Sequence, residues 1–325
     1  MLLFVIDAGT TTSRIRLTDG KNVLASAKRQ VGARDVAITG DKRVLEQALK
    51  ECVDELLLEN RLSLAQIDAV FASGMISSNM GLYEIPHLEA PVNLEQLASK
   101  LVVQSFPGLS DKPVIFIPGV KTGFDAVTEL EDKDMMRGEE AEIFGYLNSL
   151  GENKNDDILF MHYGSHHKCI QLIHGGITKC RTSITGELMT AVAQHTILKS
   201  SLLPLEEVVP EIEWVKKGLH VAHRSGFGRV LFSTRVLDTM EQRSSQEVSS
   251  LFLGALLSLD LKLVEEMITE QTNRIVLYGK ALFPSVFEPV LREVYPELQV
   301  EVISEEISDL LSAEGAASIY QQYAK

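Results

Sequence analysis

The stretch LLFVIDAGTTTSRIRL, residues 2–17, decides how the rest of the chain is read. Leu2 to Ile6 is an unbroken apolar run, as a strand buried on both faces requires. Asp7, Ala8, Gly9, Thr10, Thr11 and Thr12 follow. Ile15 and Leu17 then alternate with Arg14 and Arg16, the period of a second strand. Glycine lets the backbone bend and approach a ligand closely, and successive N–H groups in such a turn make a concavity for anions. Three threonine hydroxyls surround it. Asp7 supplies the opposite charge, which suits a divalent cation beside a phosphate. The stretch therefore reads as a nucleotide-phosphate hairpin, the plainer alternative being an ordinary hairpin with a glycine turn.

Working outward, 325 residues are long for one core, so two domains are expected. A hydrophobic content of 45% with 23% charged residues fits a soluble globular protein. The net charge of −14 argues against nucleic acid and anionic membrane surfaces as partners. No apolar run reaches membrane-spanning length, and the chain enters a strand with no basic leader. Cys52, Cys169 and Cys180 form no paired motif, so a reduced, cytoplasmic setting is expected.

Along the chain, Val23 to Lys28 supplies a third strand and Asp35 to Asp41 a polar link. Lys42 to Asn60 is an amphipathic helix. Ile67 to Ala72 is a short buried strand ending in Ser73, Gly74, Met75, Ile76, Ser77 and Ser78, a small-residue turn where open α/β sheets place ligands. Val114 to Ile117 is another strand. Met136, Arg137, Gly138, Glu139 and Glu140 lead into a helix, whose dipole alone is a sufficient reason for two glutamates in its first turn. The polar GENKNDD at 151–157 is the candidate boundary between domains 1–150 and 151–325. Beyond it the grammar restarts. Ile158 to His162 is a strand, Tyr163 to Lys168 a turn and Cys169 to Ile173 a strand, a weak echo of the first hairpin. Leu202 to Val209 and the Trp214 region look helical, and Ser249 to Met267 is a long apolar helix. Arg274 to Tyr278 and Val300 to Ile303 are strands, and Ile307 to Tyr320 closes as a helix. His162, His166, His167 and Cys169 match no closed zinc spacing, and no Walker-type loop occurs.

IDAGTTTSR, followed after a helix by ASGMISS, resembles the sugar-kinase branch of the actin-like ATPase superfamily. More closely, the chain resembles the 2-dehydro-3-deoxygalactonokinase family. The blocks that carry this, in order, are ASGMISSNMGLYEIPHLEAP at 72–91, MRGEEAEIFG at 136–145, HYGSHHKCI at 162–170, SITGELM at 183–189, LFSTRV at 231–236 and LYGKALF at 277–283. The resemblance implies an α/β chain of two ribonuclease-H-like domains around a central cleft, with ATP and Mg2+ bound there. It also implies transfer of the γ-phosphate to a hydroxyl of a 2-keto-3-deoxy sugar acid. The acceptor it points to is 2-dehydro-3-deoxy-D-galactonate, phosphorylated at position 6 in galactonate catabolism. One block departs from the family, which reads close to PGTHSKW where this chain has Tyr163, Gly164, Ser165, His166, His167, Lys168 and Cys169.

Phosphoryl transfer needs positioning, charge neutralisation and a group to take the acceptor's proton. Asp7 is the magnesium-side carboxylate. Gly9, Thr10, Thr11 and Thr12 form the first phosphate turn, and Gly164, Ser165, His166 and Lys168 the second, although Lys168 reads equally well as a solvated lysine. Related sugar kinases carry an aspartate after a glycine ahead of an apolar helix, and Glu139 stands at that place. Glu140 is the alternative, about 100° further round the helix. Arg137 suits the substrate carboxylate. Ser73, Gly74 and Met75 are sugar-acid contacts, and Gly279 and Lys280 stand where the resemblance puts adenosine. Thr185, Gly186 and Glu187 belong to the second side of the cleft. The competing readings are a kinase for another sugar or sugar acid, and a catalytically silent nucleotide-binding regulator on the same fold. A homodimer is left open.

Overall fold

A computed structural model describes residues 1–125, 127–150 and 156–324. The chain opens with β1 (Leu3–Ala8), β2 (Ser13–Thr18) and β3 (Val23–Arg29), then α1 (Ala33–Thr39), α2 (Arg43–Glu59) and β4 (Ala69–Gly74). Next come β5 (Leu88–Glu89), α3 (Leu94–Ala98), β6 (Val102–Gln104), β7 (Val114–Phe116), β8 (Val120–Thr122), β9 (Asp134–Met136) and α4 (Glu139–Ser149). After them run β10 (Asp157–Tyr163), β11 (His167–Ile173), β12 (Gly176–Ser183), α5 (Thr185–His195), α6 (Ile212–Ser225), α7 (Phe227–Thr239) and α8 (Ser245–Met267). The chain ends with β13 (Thr272–Gly279), α9 (Leu282–Val294), β14 (Gln299–Val302) and α10 (Glu305–Tyr323).

Two compact units result. One takes Met1–Asn155, Ile173–Cys180 and Glu306–Lys325, the other Asp156–Leu172 and Arg181–Glu305. Residues 151–155, the heart of the polar link read as a boundary, lie outside the described residues. Two segments beyond that link return to the first unit. Ile177 exchanges backbone hydrogen bonds with Val92, and Tyr320 of α10 packs edge-on against Phe71 of β4 with ring centroids 5.8 Å apart. The first unit is thus discontinuous in sequence, which a composition shift does not reveal.

The first unit's main sheet has the order β3-β2-β1-β4-β7-β6. β1 pairs antiparallel with β2 and parallel with β4. Every residue of β4 is buried, as are all of β1 except Asp7, which explains their unbroken apolar runs. Leu45, Leu49, Cys52, Val53 and Leu56, one stripe of α2, close over this sheet. The five-stranded sheet runs β12-β11-β10-β13-β14, with β10 antiparallel to β11 and parallel to β13. Its core joins Leu159, Met161 and Tyr163 to Phe252 and Leu256 of α8 and to Phe283 and Phe287 of α9. The strand order around each antiparallel hairpin is the same, so the weak echo in the sequence is a duplicated sheet.

Three local expectations give way. Residues 35–41 are not a plain link, because α1 forms from Ala33, with Asp35 accepting the Gly32 N–H at 2.9 Å. The second turn is shorter than 163–168. Tyr163 pairs with His167 and His162 with Lys168, so both His167 and Lys168 are strand residues. In 202–209 only Leu205–Glu207 turns, as a single 3-10 turn.

Candidate active site

The first turn is closed by the Gly9 N–H donating to Thr12 O at 2.8 Å. Thr10 and Thr11 are exposed on it, whereas the Thr12 hydroxyl donates to Gln30 Oε1 at 3.1 Å. The start of α1 docks on its carbonyls, Ala33 N–H to Gly9 O at 3.1 Å and Arg34 N–H to Thr10 O at 2.8 Å. A Cβ on Gly32 would lie 2.6 Å from those same oxygens, so only glycine admits this approach. Asp7, at the carboxyl end of β1, has a half-exposed side chain, and its Oδ2 lies 3.9 Å from Nη1 of the buried Arg16. Sequence reasoning treated Arg16 only as an alternating strand residue. Arg14 and Arg16 alternate alike in β2, yet only Arg16 is buried, so the sequence offered no signal that sets it apart.

β4 brings Ser73 opposite Asp7 and Gly74 opposite Ala8. Gly74 has φ +81°, and a Cβ there would meet Ala8 O at 2.7 Å and Asp7 Oδ1 at 3.2 Å. A Cβ on Gly138, just before α4, would in turn lie 3.3 Å from Gly74 Cα. Three segments far apart in sequence therefore converge: Asp7, Ser73 with Gly74, and Gly138 with Glu139. Met75, half-buried, begins the 3-10 turn that follows.

The two glutamates have different surroundings. Glu140 is buried, and its oxygens accept the Val120 N–H at 3.0 Å and the Gly138 N–H at 2.7 Å. Burial first, and the neighbouring Glu139 charge second, push its pKa up to about 7. Glu140 is thus engaged in holding backbone. Glu139, in the first turn of α4, is 8% exposed. Arg137 is engaged as well. Its Nη1 donates to Ser77 O at 2.7 Å and Ser77 Oγ at 2.6 Å, its Nη2 donates to Ile85 O at 2.9 Å, and the His87 ring nitrogens lie 3.2 Å from Nη2. Burial and the charges of Arg137 and Lys121 lower His87 to about 4, so the ring is neutral beside the guanidinium. The guanidinium holds the 75–87 segment in place, a use that the sequence did not suggest.

In the second unit the turn is Gly164, Ser165 and His166. The start of α5 docks on it, Glu187 N–H donating to Ser165 O at 3.0 Å, and a Cβ on Gly186 would lie 2.5 Å from Gly164 O. His166 Nε2 is 3.3 Å from Glu187 Oε1. Lys168 is buried in β11 rather than displayed on the turn. Gly279, with φ +108°, and Lys280 adjoin the turn: a Cβ on Gly279 would lie 2.5 Å from Tyr163 O, the carbonyl that accepts the Lys280 N–H at 2.9 Å. The Lys280 residue is exposed.

Among the described residues no group of three or more His, Cys, Asp or Glu could hold a metal ion by itself. The chemistry at the first turn still fits magnesium with a nucleotide. Mg2+ keeps several waters and takes one or two carboxylates plus phosphate oxygens, and the half-exposed Asp7 near the exposed Thr10 and Thr11 fits that set. Each turn is backed by a helix start whose N–H groups donate to the turn's carbonyls.

A sequence model of the family described as 2-keto-3-deoxy-galactonokinase matches residues 7–310. The chain belongs to that family. A curated member from Escherichia coli (strain K12), named 2-dehydro-3-deoxygalactonokinase, is 23% identical over 278 residues, 85% of each chain. A Rhizobium meliloti (strain 1021) protein, provisionally given the same name, is 27% identical over 199 residues. That match spans 61% of this chain and 58% of the relative's own length. Among solved structures, a candidate 2-dehydro-3-deoxygalactonokinase from Sinorhizobium meliloti superposes with a TM-score of 0.75 at 20% identity, over 98% of this chain and 97% of the other. Acetate kinase from Entamoeba histolytica gives 0.51 at 12% identity, over 99% and 100%. At these identities the structures speak for the fold alone, and the family's fold is that of the actin-like ATPases, a doubled ribonuclease-H-like α/β unit.

Proposed function

We propose that the protein transfers the γ-phosphoryl group of ATP to a hydroxyl of a 2-keto-3-deoxy sugar acid, converting 2-dehydro-3-deoxy-D-galactonate to its 6-phosphate. The observation that carries this is the convergence of Asp7, Gly74 and Gly138 with Glu139, in a chain matched over 7–310 by that family. Bound together, Mg2+ and ATP supply the phosphoryl donor and neutralise charge on its oxygens. Asp7 takes the metal-side position. Gly9, Thr10 and Thr11 line the first phosphate turn, and Gly164, Ser165 and His166 the second, with Gly279 and Lys280 on the adenosine side.

Glu139 takes the proton of the acceptor hydroxyl. Glu140 is not available for this, since both its oxygens accept backbone N–H groups. Glu140 instead holds Gly138, and so the start of α4, in place. Ser73, Gly74 and Met75 contact the sugar acid. Arg137 acts on that acid through the 75–87 segment it anchors rather than by a free fork of its own. Lys168 adds its positive charge from within β11. The protein works in the cytoplasm, where the buried free thiols of Cys52, Cys169 and Cys180 stay reduced.

ADP release from ATP and Mg2+, followed with and without 2-keto-3-deoxygalactonate, tests the reading. Strong stimulation by that acid, and less by its gluco epimer, is expected. ATP binding with no turnover on any sugar acid would overturn it and favour the silent regulator.

A further inference from the structure

Beneath the second turn lies a buried polar cluster that the chemistry above does not use. His167 Nδ1 is 2.8 Å from Asp260 Oδ2, and both side chains are wholly buried. The other oxygen of Asp260 accepts the Thr185 hydroxyl at 3.1 Å. With its proton given to Asp260, Thr185 Oγ1 accepts from Ser183 Oγ at 2.5 Å. The imidazole is gripped edge-on between the rings of Tyr163, at 4.9 Å, and Phe283, at 4.5 Å, which fixes the direction of Nδ1.

The position of these residues matters more than their number. Tyr163 and His167 flank the turn directly, and Thr185 is the first residue of the helix whose next two residues dock on it. That helix has no side-chain cap of its own, since Ile184 stands at its N-cap. The Glu187 N–H of its first helical turn is taken by Ser165 O of the turn below it instead. Asp260, reaching in from α8, holds that helix start through the Thr185 hydroxyl and, through His167, the strand that leaves the turn. Burial raises the pKa of Asp260, and the hydrogen bonds from His167 and Thr185 oppose that rise.

We propose that Asp260 is a positioning residue: by bonding His167 and Thr185 at once, it seats the start of α5 on the 164–166 turn and thereby sets nucleotide affinity. This rests on the reading of that turn as a phosphate site. The test uses the full chain, with ATP-analogue binding in Mg2+ measured by calorimetry and amide exchange followed at Glu187. Thr185→Val, which keeps shape and removes the hydroxyl, should weaken nucleotide binding about tenfold, the cost of one hydrogen bond to a charged group. It should also speed exchange at the Glu187 amide and leave the sugar-acid KM within about twofold. Thr185→Ser should restore both readouts, and Asp260→Asn, where it folds, should match Thr185→Val. Gly186→Ala, whose methyl would collide with Gly164 O, is the control for the turn itself. Weak binding by Gly186→Ala with normal affinity and exchange in Thr185→Val overturns the role of Asp260 alone. Normal affinity in Gly186→Ala as well means that the second turn is not a nucleotide site, and both readings fall.

Discussion

In the first unit Ala8 lies opposite Gly74 across β1 and β4, and in the second Tyr163 lies opposite Gly279 across β10 and β13. Aligned on these pairs, Asp7 corresponds to His162, Ser13 to His167, Arg14 to Lys168 and Arg16 to Ile170. Each turn is covered by a helix start that approaches through a glycine, Gly32 in one and Gly186 in the other. The strand pairing is the same, although the first turn has four residues and the second three, and the charges differ. The first hairpin displays a half-exposed carboxylate with an arginine behind it. The second displays none at that place and keeps its acid, Asp260, underneath. A concavity of backbone N–H groups suffices to receive phosphate, but a cation needs a carboxylate beside it. The two hairpins share their pairing pattern, and the first carries a carboxylate where the second carries His162.

The largest effects should fall in the first unit. Glu139→Gln should lower kcat by about 10²–10⁴-fold, the usual range for losing a general base, with a much smaller change in sugar-acid KM. Glu140→Gln should leave kcat closer to normal. If the two variants exchange these phenotypes, the proton acceptor is Glu140 and its backbone bonds are not its main task. Next comes the direct comparison of hairpins. Asp7→Asn should reduce kcat by roughly 10²–10³-fold, the scale of removing one preorganised electrostatic group, and blunt the magnesium dependence. His162→Asn, at the equivalent place, should alter the magnesium dependence little. Equal magnesium phenotypes for the two would break the asymmetry.

What the sequence disclosed, and what it did not, follows the same division. β1, β4, β10 and β13 were legible because strands buried on both faces need unbroken apolar runs. The place of Asp7 at the carboxyl end of β1, before a glycine–threonine turn, was legible from where the apolar run stops. α1 was not, since its seven residues are fixed by N–H bonds to the turn's carbonyls rather than by periodicity. Lys168 was read onto the turn because register, which puts it in β11, depends on pairing that no single strand contains. The backbone bond that engages Glu140 comes from Val120, twenty residues upstream. Asp260 left a trace, an acid on the buried face of an otherwise apolar helix, but its partners come from two other segments.

A third effect concerns stability. Glu140 has its pKa raised from 4.5 to about 7 in the folded protein, so the fold holds a proton there that the unfolded chain releases. The sign follows from that. This contribution is fully present below pH ~4.5, declines as pH rises through about 7 and is absent above it. Its full span, between 4.5 and about 7, is roughly 3 kcal/mol. Urea unfolding across pH 5–8 should therefore show wild type losing stability relative to Glu140→Gln as pH rises. Parallel profiles would mean that Glu140 stays ionised throughout, stabilised by the two N–H groups it accepts.

The smallest effect tests the frame itself. Gly74 and Gly279 both have positive φ, +81° and +108°, and at both a Cβ would meet the facing strand's carbonyl, at 2.7 Å and 2.5 Å. Alanine at either should cost about 1–3 kcal/mol from backbone strain alone, read as a lower Tm. The kinetic signatures should differ although the structural insult is the same. Gly74→Ala pushes on Ala8 O and Asp7 Oδ1, and Gly138 packs on its Cα, so the sugar-acid KM and kcat should suffer. Gly279→Ala pushes on Tyr163, whose carbonyl also holds the Lys280 N–H, so the ATP KM should rise while the sugar-acid KM holds. Matching losses of Tm with these opposed KM changes would establish one frame serving two ligands. A Gly279→Ala enzyme with normal ATP KM would confine both ligands to the first unit, and the second hairpin would then be architecture without a binding role.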